Sequence, residues 1–232
     1  MHSITREKQK GFTLLELLIV ISIIAILSVA LILVLNPAET LRKSRDTQRI
    51  SDLATLKTAL GIYTTTITTP ILGDAGANTM CKTTNANGGG GTYASGDKIA
   101  YSVASDVTSI TDTTLDAQTV VVDYQVTAAN LTNTDGTGWL PVNLASVSGG
   151  SPLSGLPIDP TNTVADGTAV ASTDLVYRYA CNATNLTWEI DAQLESTAFT
   201  VDDNRKTKDG GNNSNFYEVG TNLKILGTGT DF

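Results

Sequence analysis

Few side chains in this 232-residue sequence are of a type that could do chemistry, and their spacing decides what kind. Glu189, Asp191 and Glu195 could imitate the carboxylate pair that a glycoside hydrolase sets across a cleft. Alternation along a strand gives the simpler reading, one solvated acidic face of a sheet. Gly91 to Lys98 comes near a phosphate-binding loop, but Asp97 stands between Gly96 and Lys98 and no Ser or Thr follows in the required place. A flexible connection accounts for it better. Asp202, Asp203, Asp209 and Asn212 cluster oxygen ligands around Gly210 and Gly211, the chemistry calcium requires, though not at EF-hand spacing. Solvated turns use the same residue types.

Cys81 and Cys181 are the only cysteines. An even pair in a polar region favours a disulfide, and closing a loop of about 100 residues stabilises by roughly 4 to 5 kcal/mol on the chain-entropy account. Two separate buried thiols are the alternative. The one histidine, His2, lies in the N-terminal piece. Without that piece the chain has no imidazole for Ser-His or Cys-His catalysis, or for metal ligation, so an enzyme is not expected.

The elements that must position these residues divide sharply by composition. From Phe12 to Leu35 runs FTLLELLIVISIIAILSVALILVL, twenty-four residues with one charge. About twenty suffice for a helix to cross the hydrocarbon core. The rest is rich in Thr, Asn, Gly, Ser and Asp, an anchor followed by a polar head. Residues 1–11 hold three bases against one acid, so their removal takes the net charge from −8 to −10. The head offers no basic surface to neutralise phosphates, and nucleic-acid binding by it is not expected. Arg42, Lys43, Arg45, Arg49 and Lys57 crowd one stretch after the apolar run, where they could meet anionic lipid or acidic neighbours. Counted naively, Arg42, Lys43, Arg45 and Arg49 oppose the positive-inside rule, although long domains translocate largely regardless of flanking charge.

Glu16 interrupts the apolar run at its beginning. A carboxylate near the edge of a bilayer core costs about 1 to 3 kcal/mol on insertion scales, so something must compensate it or it must snorkel. A secretory signal peptide, cut after Ser28-Val29-Ala30, is the competing reading, but the apolar run continues to Leu35.

The basic leader, Gly11, and then Phe12-Thr13-Leu14-Leu15-Glu16-Leu17-Leu18-Ile19-Val20 resemble the N-terminus of type IV pilins and type II secretion pseudopilins. The resemblance implies cleavage between Gly11 and Phe12 by a prepilin peptidase on the cytoplasmic side and N-methylation of Phe12. It also implies that Glu16 guides subunit addition to a filament. A cut there frees an ammonium at Phe12, one helical turn before Glu16 and on the same face. Between packed helices, the ammonium of one subunit can approach the carboxylate of another, a registry device in apolar surroundings. Some pseudopilins of this kind bind calcium in a C-terminal loop, which bears on Asp202 to Asn212. No other cofactor is expected.

After the span, Pro37 should interrupt or kink the helix. Arg42 to Arg49 reads as polar on all sides, facing solvent or other subunits. Ile50, Leu53, Leu56, Leu60 and Tyr63 recur at spacings of three and four, an apolar stripe for docking on a separate domain. Thr64 to Pro70 ends the helix. Strand-like runs follow at Ile99–Ala104, Thr119–Val126, Leu175–Asn182 and Leu186–Leu194, the last two as a hairpin. The turn Leu156-Pro157-Ile158-Asp159-Pro160 before a Tyr-rich hairpin resembles several pseudopilin heads.

The expected fold is α+β: a long N-terminal helix, half transmembrane and half amphipathic, packed on an antiparallel β-sheet head. The divisions are a leader at 1–11, an assembly helix at 12–35, a docking helix at 36–66 and a head at 67–232. The expected role is a filament subunit held in the cytoplasmic membrane with its head outside, assembling with itself or related subunits. Its partners are the peptidase, the pilus or secretion assembly machinery and the bilayer. A pseudopilin of a secretion or DNA-uptake machine is the near alternative, and a single-span binding protein that never assembles is the distant one.

Overall fold

A computed structural model describes residues 11–74, 77–83, 97–104, 111–112, 122–164, 169–171 and 173–226. The leader with His2, the Gly88–Gly91 run and most of the phosphate-loop-like stretch lie outside the described residues. The chain divides into two compact units, Met1–Leu41 and Arg42–Phe232.

In the first unit, helix α1 (Leu14–Leu35) holds the apolar run. The large apolar side chains described from Phe12 to Leu35 are all exposed, from 49% at Ile19 to 90% at Phe12. It is the one helix among the described residues long and apolar enough to cross a membrane. It stops because Asn36 turns left-handed (φ 38, ψ 71), a conformation that a short polar side chain tolerates. Pro37 opens helix α2 (Pro37–Thr66), where its missing N–H is no loss. The Asn36 carbonyl then accepts the N–H groups of Glu39 (3.1 Å) and Thr40 (3.2 Å), so one residue closes α1 and starts α2.

In the second unit, α2 buries Asp46, Arg49, Leu53, Leu56, Ala59, Leu60 and Tyr63, a face built at intervals of three and four. Each of the three leucines, none of them exposed, contributes about 1.5 to 3 kcal/mol of apolar burial as an upper estimate. The helix ends where Thr64, Thr65 and Thr66 turn their hydroxyls back onto the carbonyls of Leu60, Gly61 and Ile62.

The main sheet has strands β1 (Lys98–Tyr101), β3 (Val122–Tyr124), β5 (Tyr177–Asn182), β6 (Thr187–Ala192) and β7 (Tyr217–Gly220) in the order β3-β1-β5-β6-β7. Strands β2 (Thr111–Asp112) and β4 (Ala169–Val170) form a separate two-residue parallel pair. The four strands β1, β5, β6 and β7 are antiparallel, as the α+β expectation requires. The edge pair β1–β3 is parallel. A parallel pair cannot be joined by a tight hairpin turn. Strand β7 has no counterpart among the runs read from sequence, being only four residues long and carrying Glu218 and a terminal glycine.

One face of the sheet meets α2 through Ala100, Tyr177, Tyr179, Cys181, Trp188, Ile190, Ala192 and Val219, with Trp139 to Leu144 completing the core. The other face is covered too. Ile99, Tyr101, Val170, Val176 and Ala180 pack with Ile225 and Leu226 of the C-terminal segment. The expectation of a solvated acidic face is therefore wrong: Glu189 and Asp191 are both fully buried. Alternation records which face a side chain takes, not whether something lies over that face.

Candidate functional site

The N-terminal end of α1 is a reciprocal capping box. Thr13 Oγ1 accepts the N–H of Glu16 (3.2 Å), while Glu16 Oε2 accepts the N–H (3.0 Å) and hydroxyl (2.9 Å) of Thr13. The arrangement satisfies two orphan donors at the helix start and places the carboxylate where the helix dipole favours it. Glu16 thus has local partners before any cut at Gly11 and Phe12, both of which are exposed. Thr13 was absent from the residues singled out by sequence. The spacing Thr-x-x-Glu before an apolar run is the signal that identifies it.

The polar stretch Arg42 to Arg49 does not face only solvent or other subunits, as expected; part of it is buried in the chain's own head. Asp46 and Arg49 are fully buried and form the hub that fastens α2 to the head. Arg49 donates through Nε and Nη2 to the two carboxylate oxygens of Asp159 (2.6 and 2.9 Å), and through Nη1 to Asp46 (2.8 Å) and Glu195 (2.7 Å). Asp46 in turn accepts the N–H groups of Glu195 and Ser196 and the hydroxyl of Ser196 (2.6 Å). Arg45, partly exposed, grips Glu195 with two bonds of 2.8 and 3.0 Å. Burial works against the charge on Arg49, but Asp159, Glu195 and Asp46 outweigh it and raise its pKa. Burial likewise pushes Glu195 up, and the two arginines bring it below the usual carboxylate range. A buried charge in this geometry holds only because every donor and acceptor is answered.

A second polar cluster lies under the C-terminal segment. Arg178 pairs with Asp191 through Nε (2.8 Å) and Nη2 (2.5 Å), with its guanidinium 3.8 Å from the centre of the Phe216 ring. Next to it, Glu189 Oε2 accepts the N–H groups of Ile225 (2.6 Å) and Leu226 (2.8 Å). Glu218 Oε2 accepts from Asn213 N–H (3.0 Å). Burial and the neighbouring carboxyl push Glu218 up to about 11, and burial raises Glu189 as well, so the pair retains a proton at neutral pH.

Cys81 and Cys181 are joined, with an S–S distance of 2.00 Å and a Cα–Cα distance of 4.7 Å. The oxygen ligands at the C-terminal loop are dispersed. Asp203 pairs with Arg205 and Lys208, both at 2.6 Å, and Asp209 accepts the N–H groups of Gly211 (2.9 Å) and Glu218 (2.8 Å). Among the described residues no three His, Cys, Asp or Glu side chains are grouped as a metal ion would need, so Asp202, Asp203 and Asp209 do not make one cage with Asn212.

Residues 6–32 match the family model described as the prokaryotic N-terminal methylation motif. No curated protein and no solved structure matches the chain. The match covers residues 6–11 of the leader, then Phe12, Glu16 and most of α1, and it is the N-terminal motif of type IV pilin and pseudopilin precursors. It points to a structural subunit rather than a catalyst, to peptidase processing and to a membrane-anchored precursor.

Proposed function

We propose that this chain is a structural subunit of a type IV pilus-like filament, cut between Gly11 and Phe12 and N-methylated at Phe12. The observation that carries the reading is the methylation motif at residues 6–32 on a helix whose described large apolar side chains are exposed. In the membrane that surface meets lipid; in a filament it meets the same helix of neighbouring subunits. Cleavage removes the Gly11 amide bond and leaves an ammonium at Phe12, beside a Glu16 already oriented by Thr13. The intersubunit pairing of that ammonium and carboxylate sets axial register, while the heads form the surface. A pseudopilin of a secretion or DNA-uptake machine would share the same motif and differ in length of filament and in partners.

The test is mass spectrometry of the N-terminus of the protein recovered from its own membrane. The expected N-terminal residue is Phe12 bearing one extra methyl group. An intact Met1, or a cut after Ala30, overturns the proposal.

A further inference from the structure

The head carries a cleft for which filament assembly has no use. Its volume is about 380 Å³ and its lining is mostly apolar. Ligand pockets commonly run from about 300 to 1,000 Å³, with an apolar wall and a few placed polar groups. The apolar wall here is Tyr63 near the end of α2, Ile67 just past it, Ile71 in the turn that follows, and Pro141. Two carboxylates, Asp74 and Asp135, line the same cleft, and no lysine or arginine is among its described lining residues.

The walls are fixed by bonds of the chain itself. The Tyr63 hydroxyl donates to the Ile71 carbonyl (3.1 Å) and accepts the Ile71 N–H (3.0 Å), which pins the turn to the helix end. The loop that carries Asp135 is closed by a bridge from Asp135 to Asn143 and rooted by Trp139 and Leu140, neither of them exposed. Asp135 Oδ1 accepts the N–H (3.0 Å) and hydroxyl (2.6 Å) of Thr137, and Asp74 accepts the N–H (3.3 Å) and hydroxyl of Thr79. These bonds orient the carboxylates without neutralising them. Among the described residues neither forms an ion pair. The Thr137 hydroxyl and amide hold Asp135 below the usual carboxylate range, so it is ionised at neutral pH. Beside them, the Tyr124 hydroxyl donates to the Gly136 carbonyl (3.2 Å). Burial raises the pKa of that phenol first, and the charges of Asp74 and Asp135 raise it further, so both carboxylates act on one hydroxyl at the cleft.

This lining selects one ligand chemistry. A carboxylate only accepts hydrogen bonds, so the polar end of a ligand must donate. A carboxylate or phosphate there would meet like charge. An ammonium donates and carries the complementary charge, and bonds between charged groups are stronger than neutral ones. A bare metal ion or a polyamine would leave the apolar wall in contact with water, whereas a hydrocarbon body covers it. We propose that the cleft binds a small apolar monoamine as its cation, with the hydrocarbon body against Tyr63, Ile67, Ile71 and Pro141 and the ammonium at Asp74 and Asp135. The cleft lies wholly within the second unit, so its occupancy is measured without filaments and stands or falls apart from the filament reading.

The full chain, purified in detergent, is titrated calorimetrically with tryptamine, with tryptophol, which has a hydroxyl in place of the amine, and with indole-3-acetate, each corrected for a titration into protein-free micelles. Tryptamine should bind saturably at one site, about tenfold more tightly than tryptophol, and indole-3-acetate should not bind. Asp135→Asn keeps an oxygen for the Thr137 donors and removes the charge, so it should weaken tryptamine about tenfold, leave tryptophol unchanged and keep the melting midpoint. Ile67→Ser should weaken tryptamine and tryptophol alike. Equal affinity for all three indoles overturns the proposal, as does tryptamine binding that survives Asp74→Asn and Asp135→Asn together. A cleft that takes calcium, or a second copy of the chain, in place of the amine overturns it as well.

Discussion

Replacing Arg49 by methionine keeps most of the side-chain volume but strands two carboxylates, because the side chains of Arg49, Asp46 and Asp159 are all fully buried. Breaking a buried pair by removing one partner costs about 3 to 5 kcal/mol, most of it the penalty of the charge left behind. For a unit of this size each kcal/mol moves the melting midpoint by about 2 to 4 °C, so the loss is on the order of 10 °C. The control is Arg45→Met: its side chain is 35% exposed and its bond to Glu195 is worth about 0.2 to 1 kcal/mol after solvent screening. Near-ultraviolet circular dichroism of the detergent-solubilised chain reads the transition, since Trp139 and Trp188 are both buried. High salt should weaken the effect of the Arg45 change and leave that of Arg49 nearly intact. Adding Asp159→Asn to Arg49→Met should recover part of the loss by neutralising one stranded charge. Equal shifts for the two arginines, or an Arg49 effect that disappears in high salt, would refute the hub.

Glu218 gives a pH dependence of definite sign. Its folded pKa of about 11 lies above the ordinary value of 4.5, so the stability it contributes is full below about pH 4.5 and is lost as pH rises towards 11. Glu218→Gln should flatten the fall of the melting midpoint between pH 5 and 9, to be followed by thermal scans; an unchanged slope would count against the buried acid. Glu195 acts oppositely: its lowered pKa contributes stability above the ordinary carboxylate range that is lost in acid, so Glu195→Gln should blunt acid denaturation measured below pH 5. A Cβ at Gly138 would sit 2.1 Å from the Asn133 carbonyl oxygen, and backbone cannot yield cheaply, so Gly138→Ala should lower the urea midpoint by an amount worth about 1 to 3 kcal/mol. Glu16→Val should leave N-terminal processing intact and abolish filaments in electron micrographs; normal filaments would refute the registry role.

The periodic parts of the fold were legible in the sequence. The apolar run of α1, the stripe Leu53, Leu56, Leu60 and Tyr63, and the β5–β6 hairpin all repeat long enough for period to decide. Strand β7 did not, because four residues with glycine at one end carry almost no pattern. The Arg49 hub was hidden for a different reason. Its partners Asp159 and Glu195 lie 110 and 146 residues away, and a polar residue on a helix looks the same whether solvent or a carboxylate answers it. The cover over Glu189 and Asp191 was equally silent, since it comes from Ile225 and Leu226 near the far end of the chain. Glu16 was conspicuous because a lone acid in an apolar run has few explanations, yet its nearest partner, Thr13, was passed over although it stands in a local motif.

Helix α1 is apolar around its whole circumference, so no side of it is committed to a particular neighbour. To such a rod, lipid tails and the leucines of another rod are almost the same solvent, and passing from one to the other releases or consumes little hydrophobic free energy. On the filament reading proposed above, whatever drives a subunit into the filament must then come from close packing and from the few charges near Phe12 and Glu16. The same near-balance leaves the way back open: a subunit released from the fibre would find the bilayer about as hospitable as the fibre it left.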